Sequence, residues 1–307
     1  MTTGNPVIEL AEWRQGGETF EFRGLKIFTR RGGNPAGPAL MLIHGFPTAS
    51  WDWYKLWPTL AKHFSLYTLD MIGYGDSAKP VRFGYRIHDQ ADLVEDWLHN
   101  CGVKHYHILA HDYGNTVTQE LMARDLERRE SAANAIEVNA DLQLDSVCLL
   151  NGGLFPEAHR PLFIQKILLS PLGPLVARLT NKRKFAANLT HIFGPKTPPS
   201  APEIDNLWQL VTRNGGLAAM PKLITYMPQR KHYRERWVGA LCRHSIPVRL
   251  IDGLVDPISG ANMVARYREL VPSPDVVELA GIGHYPQIEA AEDVLDAFLD
   301  FHRNRVN

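Results

Sequence analysis

Cysteine is scarce in this chain: Cys101, Cys148 and Cys242 are the only three, odd in number and widely spaced. They supply no disulfide framework, and no Cys-x-x-Cys pair marks a metal site. An excess of one charge is missing too, because 33 Lys and Arg are balanced by 33 Asp and Glu. That balance excludes nucleic-acid binding through a strongly basic surface. No apolar run approaches the ~20 residues that cross a bilayer, so no membrane span is expected. Met1 to Pro6 has neither the basic nor the apolar stretch of a secretory signal, and the expected location is cytoplasmic. Internal repeats are absent as well. What is present is a chain of 307 residues, 45% of them hydrophobic, an ordinary composition for a packed globular protein. The length exceeds the ~100–200 residues usual for one domain and suits a large α/β domain carrying an insertion.

Short apolar runs alternate with helical patterns from the start. Phe20–Phe22 and Leu25–Phe28, split by Gly24, read as a hairpin. Ala39–Ile43 is an unbroken apolar run, as expected of a strand buried on both faces. Further strands are expected at 65–69, 106–110, 144–150, 247–251 and 276–279, with helical spacing between them. Strand and helix in this rhythm predict a doubly wound, mostly parallel sheet. Ser131 to Gln143 reads as a surface excursion. Between Asn151 and about His244, prolines punctuate helical patches and no buried-strand run appears. The expected organisation is therefore a core of residues 1–152 and 245–307 with a helical cap inserted at 153–244.

In an open α/β sheet, ligands bind outside the carboxyl ends of the strands. Three residues that end separate strands are therefore candidates to meet: Asp112, Asp256 and His284. Ala110-His111-Asp112-Tyr113-Gly114 has the small-x-nucleophile-x-small layout of a strand-to-helix elbow, with a carboxylate in place of serine. The competing reading is an Asp capping the helix that follows. Asp256 precedes Pro257 and equally suits an Asx turn, and a lone histidine such as His284 is more often structural than catalytic. The chain order nucleophile, acid, histidine strengthens all three together. His44-Gly45-Phe46-Pro47 follows the strand that supplies a second oxyanion-hole amide, so the backbone N–H groups of Phe46 and Tyr113 are the expected pair.

Those segments, with Asp70-Met71-Ile72-Gly73-Tyr74-Gly75-Asp76-Ser77 and Gly283-His284, resemble the epoxide hydrolase and haloalkane dehalogenase branch of the α/β-hydrolases. Leu150 to Glu157 and Arg236 to Leu241 resemble its mesoderm-specific transcript subgroup. The resemblance covers nearly the whole chain and is poorest over residues 126–143. It implies an enzyme without cofactor or metal, acting on a small hydrophobic epoxide or haloalkane and water. Asp112 would attack saturated carbon, and His284, oriented by Asp256, would activate the water that cleaves the ester. Dehalogenases of this branch place Trp after the nucleophile; Tyr113 stands there and lacks the indole N–H. Epoxide hydrolases use cap tyrosines instead, and Tyr226 resembles the later of these, although a packing role is the alternative. His159 is a substitute for the missing earlier donor, Trp208 is a halide donor if the substrate is a haloalkane, and His44 completes the expected pocket. A pocket that senses a ligand without turning it over is a third reading, and a second copy of the chain, as a homodimer, is an admissible partner.

Other patterns are set aside. His105 and His107 alternate like a metal pair without a carboxylate or Cys at ligand spacing. Lys182-Arg183-Lys184 and Arg230-Lys231 read as solvated faces, and Gly73-x-Gly75 lacks the third glycine of a dinucleotide loop.

Overall fold

The computed structural model describes residues 7–133 and 142–306. Most of the excursion expected between Ser131 and Gln143 therefore lies outside the described residues. Eight strands form one sheet in the order β1-β2-β4-β3-β5-β6-β7-β8. They are β1 (Glu18–Phe22), β2 (Leu25–Gly33), β3 (Ala39–Ile43), β4 (Ser65–Leu69), β5 (His105–Ala110), β6 (Gln143–Leu149), β7 (Val248–Gly253) and β8 (Asp275–Leu279). β2 runs antiparallel to both β1 and β4, and every other pairing is parallel.

The continuous apolar runs occupy the middle of the sheet, where Leu40 to Ile43, Tyr106 and Ile108 to Ala110 are at most 1% exposed. Helices cover both faces of a sheet buried in this way. In chain order they are α1 (Leu10–Gln15), α2 (Trp57–Leu60), α3 (Ile87–Asn100) and α4 (Tyr113–Ala133), then α12 (Ala261–Leu270), α13 (Pro286–Glu289) and α14 (Ala291–Phe301) late in the chain. Between β6 and β7 the chain forms a helical insertion: α5 (Phe163–Leu168), α6 (Gly173–Arg178), α7 (Lys182–Ile192), α8 (Ala201–Thr212), α9 (Gly216–Leu223), α10 (Tyr226–His232) and α11 (Arg234–Arg243). The insertion is tied to the core where Trp237 Nε1 on α11 donates to Glu120 Oε2 on α4 at 2.8 Å and Arg236 bonds the same carboxylate.

Two elements run further than their apolar pattern suggests. β2 continues through Thr29-Arg30-Arg31 because those residues pair with Leu69 to Tyr67 of β4. The Arg30 guanidinium is covered by the rings of Trp13 and Trp57, at 4.7 and 5.2 Å. α4 runs on to Ala133 through a charged stretch, supported by Glu120–Arg124 and Asp125–Arg129 pairs four residues apart.

Candidate active site

β5 ends at Ala110, and the chain turns through His111 and Asp112 into α4. Asp112 adopts φ +45°, a left-handed conformation costing an L-residue roughly 1–2 kcal/mol. Close packing enforces it, for a Cβ at Gly114 would overlap the Ile43 carbonyl. The Asp112 amide donates to the Asn151 carbonyl at 2.8 Å. Its carboxylate accepts the Phe46 amide at 3.2 Å, which comes from the loop after β3 and not from the first turn of α4. The strained φ and that partner replace the helix-cap reading with a side chain held up at the strand end, 4% exposed.

His284 follows β8 and reaches the same point. Its Nδ1 lies 2.7 Å from Asp256 Oδ2, and its Nε2 lies 4.0 Å from Asp112 Oδ2. Asp256 accepts three further hydrogen bonds, from the Ser259 hydroxyl (2.7 Å), the Ile258 amide (2.8 Å) and Asn151 Nδ2 (3.1 Å). The Ile258 bond is the Asx turn suggested by the Asp-Pro sequence, and it aims the carboxylate at His284. Burial alone would raise Asp256, but the His284 charge and the converging donors hold it below its ordinary value. Burial alone would likewise lower His284; the Asp256 charge and hydrogen bond outweigh it, with help from Asp112 and Glu289, and lift it to about 9.

Above these residues lies a cavity of about 100 Å³, floored by Phe46, Asp112 and His284 and roofed by Leu168, Phe185 and Met220 of the insertion. A larger cleft of about 390 Å³ opens at the opposite, amino ends of β7 and β8, far from these groups. Tyr226, the first residue of α10, is fully buried and packs its ring on Phe46 (centroids 6.0 Å apart) and Tyr113 (5.0 Å). It sits behind the cavity wall beside Arg230, and burial together with the Asp112 charge pushes its phenol up. The His159 ring is pushed down to about 3 by burial and the Arg230 charge, and its buried Nε2 lacks a partner among the described residues.

The structure brings neither His44 nor Trp208 to the cavity wall. His44 Nε2 accepts the Met71 amide at 3.1 Å and its Nδ1 lies 2.8 Å from the Gly45 carbonyl, so the ring clamps two loops together. Trp208 packs on Phe185 with centroids 5.5 Å apart, one layer outside the cavity.

Three residues at the site were not singled out by sequence. Arg230, expected on a solvated face, is 2% exposed. Its Nε donates to Thr116 Oγ1 at 2.7 Å, and its Nη2 donates to the Asp112 carbonyl at 3.2 Å and lies 3.7 Å from the Asp112 carboxylate. The guanidinium stacks on the Tyr226 ring at 4.5 Å, in space that a Cβ on Gly153 would fill. The available signal was its spacing, one helical turn after Tyr226 on α10. His111 Nε2 lies 2.7 Å from the His284 carbonyl, and burial and the His284 charge push its ring down to about 3, so it holds the backbone of His284 as a neutral donor. Asn151 uses its side-chain amide to bridge Gly253 N (2.7 Å) and Gly253 O (3.0 Å), joining the end of β6 to β7.

A strained carboxylate at an elbow, facing a histidine–carboxylate pair at the ends of two other strands of a parallel sheet, is the arrangement of a hydrolase. The chain belongs to the α/β-hydrolase fold family, whose model matches residues 38–291. It is 39% identical over 301 residues to the mesoderm-specific transcript protein of Mus musculus, covering 95% of this chain and 87% of that protein. It is also similar to haloalkane dehalogenase 2 of Mycobacterium bovis, at 24% identity over 270 residues covering 86% and 87% of the two chains. The solved structure of the epoxide hydrolase CorEH superposes with a TM-score of 0.75 at 18% identity, covering 94% of this chain and 98% of that one, a likeness of fold.

Proposed function

We propose that this hydrolase opens epoxides to vicinal diols through an ester on Asp112, with residues 153–244 serving as the cap over the site. The observation that carries the reading is the Tyr226 phenol, buried against Tyr113 and Phe46 of the cavity floor and within the influence of the Asp112 charge. A phenol held in this position can donate to an oxygen that gains charge beside Asp112.

In the first step an Asp112 carboxylate oxygen attacks an epoxide carbon and the ring C–O bond breaks. The departing alkoxide takes the Tyr226 proton, with neutral His159 as the second donor. Alkylation turns Asp112 from an anion into a neutral ester and removes one of the charges that raise His284. The imidazolium, starting from about 9, then returns its proton to the Tyr226 phenolate and is left as the neutral base. It takes a proton from water, and the resulting hydroxide adds to the ester carbonyl. The Phe46 amide, already 3.2 Å from the carboxylate, and the Tyr113 amide receive the developing oxyanion. The ester C–O bond breaks, the hydroxyl proton of the tetrahedral adduct passes to the leaving oxygen, and the diol departs with Asp112 ionised and His284 protonated as at the start. Dehalogenation would instead need a halide donor; Trp208, Tyr226 and His159 all lie outside the cavity lining, and the trapping experiment separates the two reactions.

The test traps the ester. His284→Gln removes the base and leaves Asp112 free to attack. Incubated with aryl and aliphatic epoxides, the intact variant should gain the mass of the whole epoxide, mapping to Asp112. A gain equal to an alkyl group alone, from bromoalkanes and with bromide released, would replace epoxide opening by dehalogenation. An adduct elsewhere, or none with either substrate class, would reject the assignment of Asp112.

A further inference from the structure

The helical insertion has an outer face that the chemistry at Asp112 does not use. Eight large hydrophobic side chains stand exposed among the described residues, and five of them, Phe163, Leu169, Leu172, Leu175 and Leu179, fall on α5, α6 and the turns beside them. The other three, Val7, Val81 and Val255, are scattered. Leu172, Leu175 and Leu179 recur at three and four residues and so share one stripe of α6, 55 to 61% exposed, while Gly173 and Ala177 bury the opposite side. A contiguous apolar patch of this kind marks a surface with a partner.

Charge identifies the partner. From Ala158 to Pro202 the chain carries seven Lys and Arg and no Asp or Glu, although the whole chain is neutral. Lys166, Arg178, Arg183 and Lys184 are exposed, with no carboxylate at ion-pair distance among the described residues, and Lys182 is paired with Asp205. A basic rim around long aliphatic side chains is the composition of a surface that lies on a membrane. A second copy of the chain fits poorly, since a two-fold interface would set this basic rim against itself. A protein partner fits less well also, because leucine is under-represented among interface hot spots relative to Trp, Tyr and Arg.

We propose that α5, α6 and the first turn of α7 dock on an anionic lipid bilayer, leucines in the headgroup–acyl boundary and Lys and Arg on the headgroups. The same segment supplies Leu162, Ile164, Leu168 and Thr180 to the wall of the cavity over Asp112. Docking therefore places the cavity within one helix thickness of the bilayer, a short path for a substrate dissolved in lipid. The surface argument does not rest on the proposed chemistry and is tested without it.

The experiment is co-sedimentation with phosphatidylcholine vesicles, with and without phosphatidylserine, at low and physiological salt. The full-length protein should bind the phosphatidylserine vesicles and lose affinity as salt rises. Leu172→Ser/Leu175→Ser/Leu179→Ser should weaken binding at least tenfold, with an unchanged circular dichroism spectrum because these side chains are exposed. Lys166→Gln/Arg183→Gln/Lys184→Gln, which leaves the apolar stripe intact, should weaken binding to the anionic vesicles by about fivefold per charge. Failure of the wild-type protein to bind anionic vesicles at low salt would overturn the proposal. So would unaltered binding by both variants, or a wild-type dimer that the leucine variant converts to monomer.

Discussion

Replacing Asp256 by Asn separates the two halves of the proposed reaction. The substitution keeps the shape of the side chain and removes the charge that holds His284 at about 9 in place of 6.5. At 1.36 kcal/mol per pKa unit, that displacement corresponds to ~3 kcal/mol of imidazolium stabilisation. Burial opposes it and Asp112 and Glu289 supply part of it, and Asp112 is already neutral once the ester has formed. The loss falls on the transition state in which His284 takes a proton from water, so ester hydrolysis should slow by roughly 100-fold. Ring opening does not use His284 and should change by less than about tenfold. Four donors converge on Asp256, and the Asn amide can accept from only part of them, so a modest loss of stability of ~1–2 kcal/mol is also expected. Rapid-quench kinetics on an epoxide should then show a burst of one equivalent followed by a slow steady state, with most of the enzyme carrying the adduct by intact-mass analysis. Full turnover with no accumulated adduct would refute the reasoning and move the acid to another residue.

Tyr226→Phe should keep the ring packing on Phe46 and Tyr113 and lose the donor, slowing single-turnover alkylation by ~100-fold or more; an unchanged rate in a folded variant would remove Tyr226 from the mechanism. Because His284 is raised on folding, its contribution to stability is whole below about pH 6.5 and fades as pH rises through about 9. The unfolding free energies of wild type and His284→Gln should therefore converge across that window, and a gap widening with pH would contradict it. Asp252 is buried beside Asp256, and burial first and the Asp256 charge second push it well above 3.8, against a smaller opposing effect of Asn151. Asp252→Asn should thus gain stability relative to wild type as pH rises above 3.8 toward neutrality, and a thermal-shift series showing no such trend would count against the buried acid. Arg230→Met should destabilise by ~3–5 kcal/mol, as removal of one member of a buried ion pair does; a loss below ~1 kcal/mol by urea titration would show the guanidinium to be a spectator.

The sheet was legible because its central strands are apolar without interruption, and each candidate residue stands where such a run stops. Ala39–Ile43 coincides with β3, and Asp112, Asp256 and His284 follow the ends of β5, β7 and β8. Strands that alternate with charge were harder to read. The end of β2 depends on pairing with β4 and on tryptophans covering Arg30, and neither is local information. At the site, sequence identified groups with a chemical reputation and missed those whose role depends on burial. Arg230 beside Lys231 has the pattern of a solvated face, and only the notch at Gly153 and the ring of Tyr226 make it a buried partner of Asp112. Trp208 was attractive for its indole N–H, yet which side of α8 meets the cavity is decided by how the insertion packs, and Phe185 lies between them.

The positions of Asp112 and His284 across the sheet also make the molecule vulnerable in a particular way. Asp112, the proposed nucleophile, follows β5, which is flanked on both sides, whereas His284, the proposed base, follows β8, which among the described residues is an edge strand paired only with β7. Edge elements open at lower free energy than central ones, so mild heat or denaturant should disengage His284 while the elbow of Asp112 stays folded. In that partly opened form the protein could still be alkylated and could no longer release the product. Under the proposed chemistry, exposure to substrate near the onset of unfolding would convert the catalyst irreversibly into a stoichiometric scavenger, and inactivation would depend on turnover history as well as on temperature.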